Sequence, residues 1–295
     1  TAYIGGNPVM AEIPYTDYTS GEHTVFAVMA ALMHRLRTGQ GQFIDISQTQ
    51  ATSSTIPEIL MDFSANGRSG PRMGNQDTAM SPHGCYQCQG EDRWIVIAVE
   101  TDAQWRALCG VLGREAWLQD VRFSDGLSRW KHRLDLDQLL GPVTKDWDSR
   151  QLMERLQAVG VASGAVLDGA GLLFDPHLKE RGFYEVIDHD PSTGIPPLPY
   201  ASRPWKLLGT PAVQGKAAPI MGQHNRSVLM DLLGKTEDQM AELEAAQVIG
   251  YAPANPAPVS RPSPEEQVRL GRMQRYEHDY QEKVAEAYPG PSAES

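Results

Sequence analysis

The sequence is short of three things. Of its 295 residues only three are cysteines, Cys85, Cys88 and Cys109. An odd, low count gives no disulfide framework and points to a reducing compartment, the cytoplasm. Positive charge is scarce too: 26 lysines and arginines face 37 acidic residues, for a formal net charge of −11. That balance disfavours nucleic acid and anionic membrane as main partners. Long apolar runs are also missing. Nothing reaches the roughly eighteen residues a membrane-spanning helix needs, so no span is expected. The first residues, TAYIGGNPVM, carry no basic region followed by an apolar core, so they do not read as a signal peptide. They also carry no initiating methionine, as expected of a chain that is processed or cut from something longer.

Cys85 and Cys88 form a lone C-x-x-C. They lie in CYQCQGEDRWIVIAVE, which reads as a hairpin with Gly90, Glu91 and Asp92 at the turn. Strand positions i and i+3 point to opposite faces, so the two thiols diverge. No second cysteine pair completes a zinc site, and no metal is expected.

The most informative stretch is residues 13–50, IPYTDYTSGEHTVFAVMAALMHRLRTGQGQFIDISQTQ. A short loop presents Asp17. Val25, Phe26, Met29, Leu32, Met33 and Leu36 then recur at helical spacing. Gly39 stands where a C-terminal cap belongs, and Arg35 and Arg37 complement the negative end of the helix. FIDIS, residues 43–47, reads as a strand. A carboxylate on a fixed loop before a helix can serve as nucleophile or base; equally, Asp17 or Thr19 can simply cap the helix.

Residues 48–65 read as helical, with Pro57 marking a kink or a late start. NGRSGPRMGNQDTAMSPHG, residues 66–84, is long, rich in Gly and Pro, and without periodicity. Loops of that length are usually functional or disordered, and its place between two patterned elements favours function. Its polar residues are Arg72, Asn75, Gln76, Asp77 and His83; His83 is a candidate for direct chemistry or is simply solvated. A capped helix is expected over 101–113, with Trp105, Leu108, Cys109 and Leu112 on one face, then helices near 127–140 and 149–159. GVASGAVL, residues 160–167, reads as a strand or turn, and a turn, short helix and strand follow to Asp188. DHDPSTGIPPLPYASRPW, 188–205, reads as an extended linker. Two short helices are expected over 225–233 and 237–247, then a Pro/Ala linker and a charged helix beginning at Ser263. The apolar stripe of that last helix is thin, so it is expected to lie on another chain or domain.

Taken together, these motifs resemble the class III CoA-transferase family, also called the L-carnitine dehydratase/bile-acid-inducible family. TDYTSGEHTVFAVMAALMHRLRTGQGQFIDISQTQA carries the match, supported by SPHGCYQCQGEDRWIVIAVETDAQWRALCGVLG, ASGAVLDGAGLLFDPHLKERGFYEVID and APIMGQHNRSVLMDLLG. The resemblance implies an α/β fold: part of a Rossmann-like large domain plus a smaller α/β domain, in an interlocked dimer. It divides the chain into 1–66 with the catalytic carboxylate, a loop at 67–84, a small α/β domain at 85–188, a return linker and large-domain helices at 189–250, and a tail at 251–295.

In that family the residue matching Asp17 attacks an acyl-CoA thioester. An anhydride and then an aspartyl-CoA thioester carry the CoA to a carboxylic acid. Coenzyme A enters as part of the acyl-CoA substrate. Gln48 falls near a CoA-contact position. Residues 73–84 resemble a mobile active-site loop containing Gly74, Asn75, Gln76, His83 and Gly84, with Gly74, Pro82 and Gly84 as pivots. The family's Rossmann-like first half has no counterpart here, and no Gly-rich phosphate loop or basic cluster replaces it. Either the chain is a segment of a longer protein, or a second copy or a partner subunit is expected to supply that half. Two other functions stay open. One is an α-methylacyl-CoA racemase of the same fold. The other is a non-catalytic subunit that keeps Asp17 only as a cap. Trp94, Trp105, Tyr86 and Phe63 line an acyl pocket or fill the core.

Overall fold

A computed structural model describes residues 6–7, 14–211, 215–253 and 262–290. Most of the Pro/Ala linker expected after Tyr251 lies outside the described residues. The chain divides into two compact units, 1–166 and 167–295.

In the first unit, the apolar periodicity after Asp17 becomes helix α1 (Tyr15–Thr38). Gly39 ends it in the left-handed conformation, at φ 74°, and its N–H donates to the Arg35 carbonyl. A side chain with a Cβ is strained there, so glycine is the natural stop. The apolar stripe is present but uncovered, with Phe26 78% and Leu36 86% exposed. Residues 43–47 form no strand, against expectation. A strand needs a neighbour to share its ladder, and none lies beside FIDIS among the described residues. Phe43 stands 93% exposed. Ser47 instead caps α2 (Gln48–Ser53), and Pro57 opens α3 (Pro57–Asn66) at its first position, where its missing N–H does no harm.

Strands β1 (His83–Gln87) and β2 (Trp94–Ala98) form the expected hairpin, with Cys85 opposite Val96 and Tyr86 opposite Ile95. Its turn uses positive φ at both Gly90 and Asp92. Helix α4 (Asp102–Leu112), α5 (Gly126–Lys131), α6 (Arg133–Thr144) and α7 (Ser149–Ala158) follow, then β3 (Ala162–Val166). The sheet runs β1-β2-β3, antiparallel throughout. One face is dry: Ile95, Ile97 and Val99 are buried against Leu108, Cys109, Leu136, Leu140, Leu152 and Leu156. Trp105 lies at the centre of the aromatic part of this core, stacked on Trp117 at 6.2 Å and edge-on to Phe123 at 6.0 Å.

Helix α4 begins with a complete capping box: Thr101 Oγ1 accepts from the Gln104 N–H, and Gln104 Oε1 accepts from the Thr101 N–H. Thr101→Ala is expected to lower stability by about 1 kcal/mol, read as a shifted urea midpoint with an unchanged slope.

The second unit holds α8 (Gly169–Leu173), α9 (Pro176–Glu180), β4 (Tyr184–Ile187) and β5 (Leu198–Ala201). It also holds α10 (Glu237–Ala245), α11 (Pro264–Arg269) and α12 (Tyr280–Ala287). Residues 188–205 are not a plain linker. A short 3-10 turn at Pro191–Thr193 reverses the chain, and β5 pairs antiparallel with β4. Residues 225–233, expected as an ordinary helix, contain a π-helical turn at Ser227–Leu232. The tail helix starts at Ser263 as expected but is broken after Arg269, where Gly271 adopts φ 67°. Tyr288, which follows α12, is 8% exposed, donates its hydroxyl to the Leu173 carbonyl and sits edge-on to Tyr184.

Candidate active site

Asp17 lies in the first turn of α1, not on a preceding loop. Pro14 takes the N-cap position, so the helix begins at Tyr15. Neither residue that had been a candidate cap acts as one. No side chain caps α1, and the Thr19 hydroxyl donates backward to the Tyr15 carbonyl at 2.9 Å. The Asp17 side chain is exposed.

Gln48, the first residue of α2, donates its Nε2 to Asp17 Oδ1 at 3.0 Å. Two small buried residues, Ser20 and Ala51, lie along the same helices, α1 and α2, which pack together. Asp17/Ser20 and Gln48/Ala51 each follow i,i+3 spacing, so on each helix the polar tip and the small residue share a face. That paired spacing was the available signal for Ser20 and Ala51. The Ser20 hydroxyl donates to the Asp17 carbonyl at 3.0 Å. His23 adds a further tie, with Nδ1 2.9 Å from the Thr19 carbonyl and Nε2 3.4 Å from Ser54 Oγ. Gln48 engages one carboxylate oxygen, and among the described residues no donor holds Oδ2. Among the described residues the carboxylate is therefore oriented through one oxygen and open at the other.

The loop residues gather elsewhere. Gly74, at φ 61°, needs the freedom of glycine. Gly84 is glycine for another reason: a Cβ there would lie 2.7 Å from the Tyr86 hydroxyl oxygen. His83 Nδ1 lies 2.6 Å from the Asn75 carbonyl, closing the loop on itself. Asp77 accepts the N–H groups of Ala79 and Met80, and these bonds hold its carboxyl below the usual range. The loop borders two open recesses of about 550 Å³ each. Asn75, Gln76, His83 and Gly84 line both; Gly74 lines only the second. The first also takes in Tyr86, Trp94, Asp137 and Lys145, none of which the sequence pattern singled out for this role except the two aromatics. The Tyr86 hydroxyl donates to Asp137 Oδ1 at 2.7 Å. Burial raises the Asp137 carboxyl, and the Tyr86 bond works against it.

The structure thus makes two groups from the candidate residues. Asp17 pairs with Gln48, and the five loop residues line the recesses; neither Asp17 nor Gln48 lines either recess. Of the aromatics, Trp105 is core, Tyr86 is buried beside the recess, Trp94 borders it, and Phe63 is 61% exposed.

All three cysteines are free. Burial pushes the Cys88 thiol up to about 11 and the Cys109 thiol up to about 12. Both are expected to react with iodoacetamide at pH 8 more than about a hundredfold slower than in urea, since the thiolate is the reacting form; site-resolved mass spectrometry checks this. Among the described residues no three His, Cys, Asp or Glu side chains gather as a metal-binding group, and no helix is long and apolar enough to cross a membrane.

Comparison with known proteins gives a consistent result. The profile of CoA-transferase family III matches residues 1–225. The succinate–glutarate CoA-transferase of Agrobacterium fabrum is 28% identical over 227 residues, covering 77% of this chain and 56% of that protein. The succinyl-CoA–D-citramalate CoA-transferase of Chloroflexus aurantiacus is 28% identical over 249 residues, covering 84% of this chain and 61% of its own length. Among solved structures, a CAIB/BAIF family protein from Brucella suis superposes with a TM-score of 0.69 at 26% identity, over 79% of this chain and 59% of that one. The chain spans less than two thirds of the length of these relatives. With the profile matching well over half of the sequence and the α/β fold agreeing, the chain belongs to CoA-transferase family III.

Proposed function

We propose that this chain supplies the nucleophile of an enzyme that moves CoA from an acyl-CoA to a carboxylic acid. The observation that carries the reading is the exposed Asp17 carboxylate, held at one oxygen by Gln48 and open at the other. Its free oxygen attacks the thioester carbonyl. The C–S bond breaks, CoA leaves as thiolate, and a mixed anhydride remains on Asp17. The thiolate attacks the Asp17 carbonyl, the original acyl group departs as a carboxylate, and an aspartyl-CoA thioester is left. The acceptor carboxylate then expels the thiolate, forming a second anhydride. Attack of the thiolate on the acceptor's acyl carbon completes the product and frees Asp17. No proton has to be moved, and each intermediate keeps the energy of the thioester. Water would discharge that energy at the anhydride, so the chemistry needs a closed site.

Among the described residues Asp17 is exposed rather than enclosed. The covering surface and the contacts to the CoA nucleotide belong to the portion of the relatives' length that this chain does not span, supplied by a further segment, a second copy or a partner subunit. The uncovered stripe of α1, Phe26, Met29 and Leu36, is the apolar surface such a complement would bury. The relatives' names point to small dicarboxylic acids, and succinyl-CoA with glutarate is the first pair to try.

The test is peptide mass spectrometry of the native assembly, incubated with succinyl-CoA and trapped with hydroxylamine. A hydroxamate at Asp17 is expected. An assembly that binds CoA but gives no adduct overturns the reading, and exchange of the α-proton with solvent in that assembly would assign a racemase instead.

A further inference from the structure

Helices α5 and α6 grip the loop at three points. Arg129 Nε donates to the Ser81 carbonyl at 3.1 Å, and the Ser81 hydroxyl returns a bond to the Arg129 carbonyl at 3.2 Å. Trp130 Nε1 donates to the Asp77 carbonyl at 3.1 Å. Arg133 Nε donates to Gln76 Oε1 at 3.0 Å. The Arg133 guanidinium is itself fixed: it lies 4.5 Å above the Trp130 ring, and its Nη1 donates to the Trp130 carbonyl at 3.0 Å.

The third grip has a chemical consequence. Arginine has donors only, so the arm of the Gln76 amide that meets it must be the oxygen. The other arm, Nε2–H2, is therefore turned away from the guanidinium. Among the described residues no acceptor takes it, and Gln76 lines both recesses. In the first recess the exposed Lys145 ammonium is a second donor. Asp137 faces the same space, but the Tyr86 hydroxyl already engages one of its oxygens. The recess thus has donors to offer to an oxygen acceptor.

We propose that Arg133 is a positioning residue that presents the Gln76 amide N–H2 to a carboxylate bound in this recess. The ligand class rests on the transferase reading, in which a carboxylic acid is the acceptor. Arg133 does not touch the ligand; it sets which end of the amide the ligand meets. Without it, Gln76 is free to turn its oxygen toward the carboxylate, which repels it.

The probe is succinate, titrated into the native assembly with this chain labelled with ¹⁵N at glutamine side chains. The Gln76 signal is identified by its loss in Gln76→Leu. Succinate is expected to shift that amide pair in the wild type. Arg133→Met should raise the succinate Kd about tenfold, the scale of one hydrogen bond to a charged group, while Arg133→Lys, which still donates to Gln76 Oε1, restores most of the binding. The double variant Arg133→Met/Gln76→Leu should bind no worse than Gln76→Leu alone. A Gln76 signal indifferent to succinate overturns the proposal. So does an unchanged Kd in folded Arg133→Met, or additive losses in the double variant. A hydroxamate at Asp17 alongside any of these outcomes would leave the transferase reading standing and remove only this one.

Discussion

Asp17→Asn is expected to reduce CoA transfer by at least about a thousandfold in kcat, as loss of a nucleophile does elsewhere. The substitution is nearly isosteric. Asparagine keeps an oxygen for the Gln48 amide to donate to, so the α1–α2 contact should survive. Asp17 is exposed and caps nothing, so folding has little to lose. The loss should therefore fall on kcat, with the melting temperature and the acyl-CoA affinity almost unchanged. Gln48→Leu removes only the orienting bond and should cost roughly ten- to a hundredfold, the scale of a hydrogen bond to a charged group. Single-turnover kinetics with succinyl-CoA and glutarate separates the two. An Asp17→Asn assembly retaining more than a tenth of wild-type turnover would remove the covalent carboxylate from the mechanism. It would also favour the reading of this chain as a non-catalytic subunit.

Local signals carried most of the first unit. The capped start of the helix at 101, the Gly90 turn and the Gly39 stop each depend on neighbouring residues, and each stands where the sequence places it. Asp17 is legible as a carboxylate at a helix start, but the structure sets it inside the first turn and not before it. Proline at the N-cap position leaves no side-chain acceptor to mark the boundary, so Asp17 read as preceding the helix rather than lying inside it. Errors elsewhere involve distant partners. FIDIS has the alternation of a strand, yet a ladder needs a second strand that no local pattern can supply. The proline-rich segment 188–205 reads as a linker because its pairing with β4 is set by a turn at Pro191–Thr193 and by burial, not by composition. The candidate site follows the same division. The loop was visible by its length and its glycines. The residues that hold it, Arg129, Trp130 and Arg133, sit in GLSRWKHR, a stretch that looks like any charged helix surface.

Arg129→Met should be the most damaging of these to stability, by about 3–5 kcal/mol, the scale of leaving two buried main-chain carbonyls without donors. The guanidinium is fully buried. Three of its nitrogens donate: to the Ser81 carbonyl, to the Phe123 carbonyl at 3.4 Å and to Asp102 Oδ1 at 2.8 Å. Its central carbon, Cζ, lies 5.5 Å from the centre of the Trp105 ring. Methionine fills much of the stem volume but satisfies none of those acceptors, and two of them are main-chain carbonyls that the buried site shuts off from water. The partner substitution separates charge from hydrogen bonding. Asp102→Asn keeps an oxygen for Nη2 to donate to and leaves both carbonyl bonds in place, while the side chain at 102 stays half exposed to water. It removes the counter-charge of a buried cation but keeps its hydrogen bond, and should cost about 1–2 kcal/mol, less than the loss of the two carbonyl bonds. Urea unfolding followed by near-ultraviolet circular dichroism reads both, because Trp105 and Trp117 stack beside the guanidinium. Equal losses in the two variants would assign the tie to the ion pair. The expected inequality assigns it to the carbonyls, and through Ser81 to the closing end of the loop, so that the same residue that holds the core together also fixes where the candidate site begins.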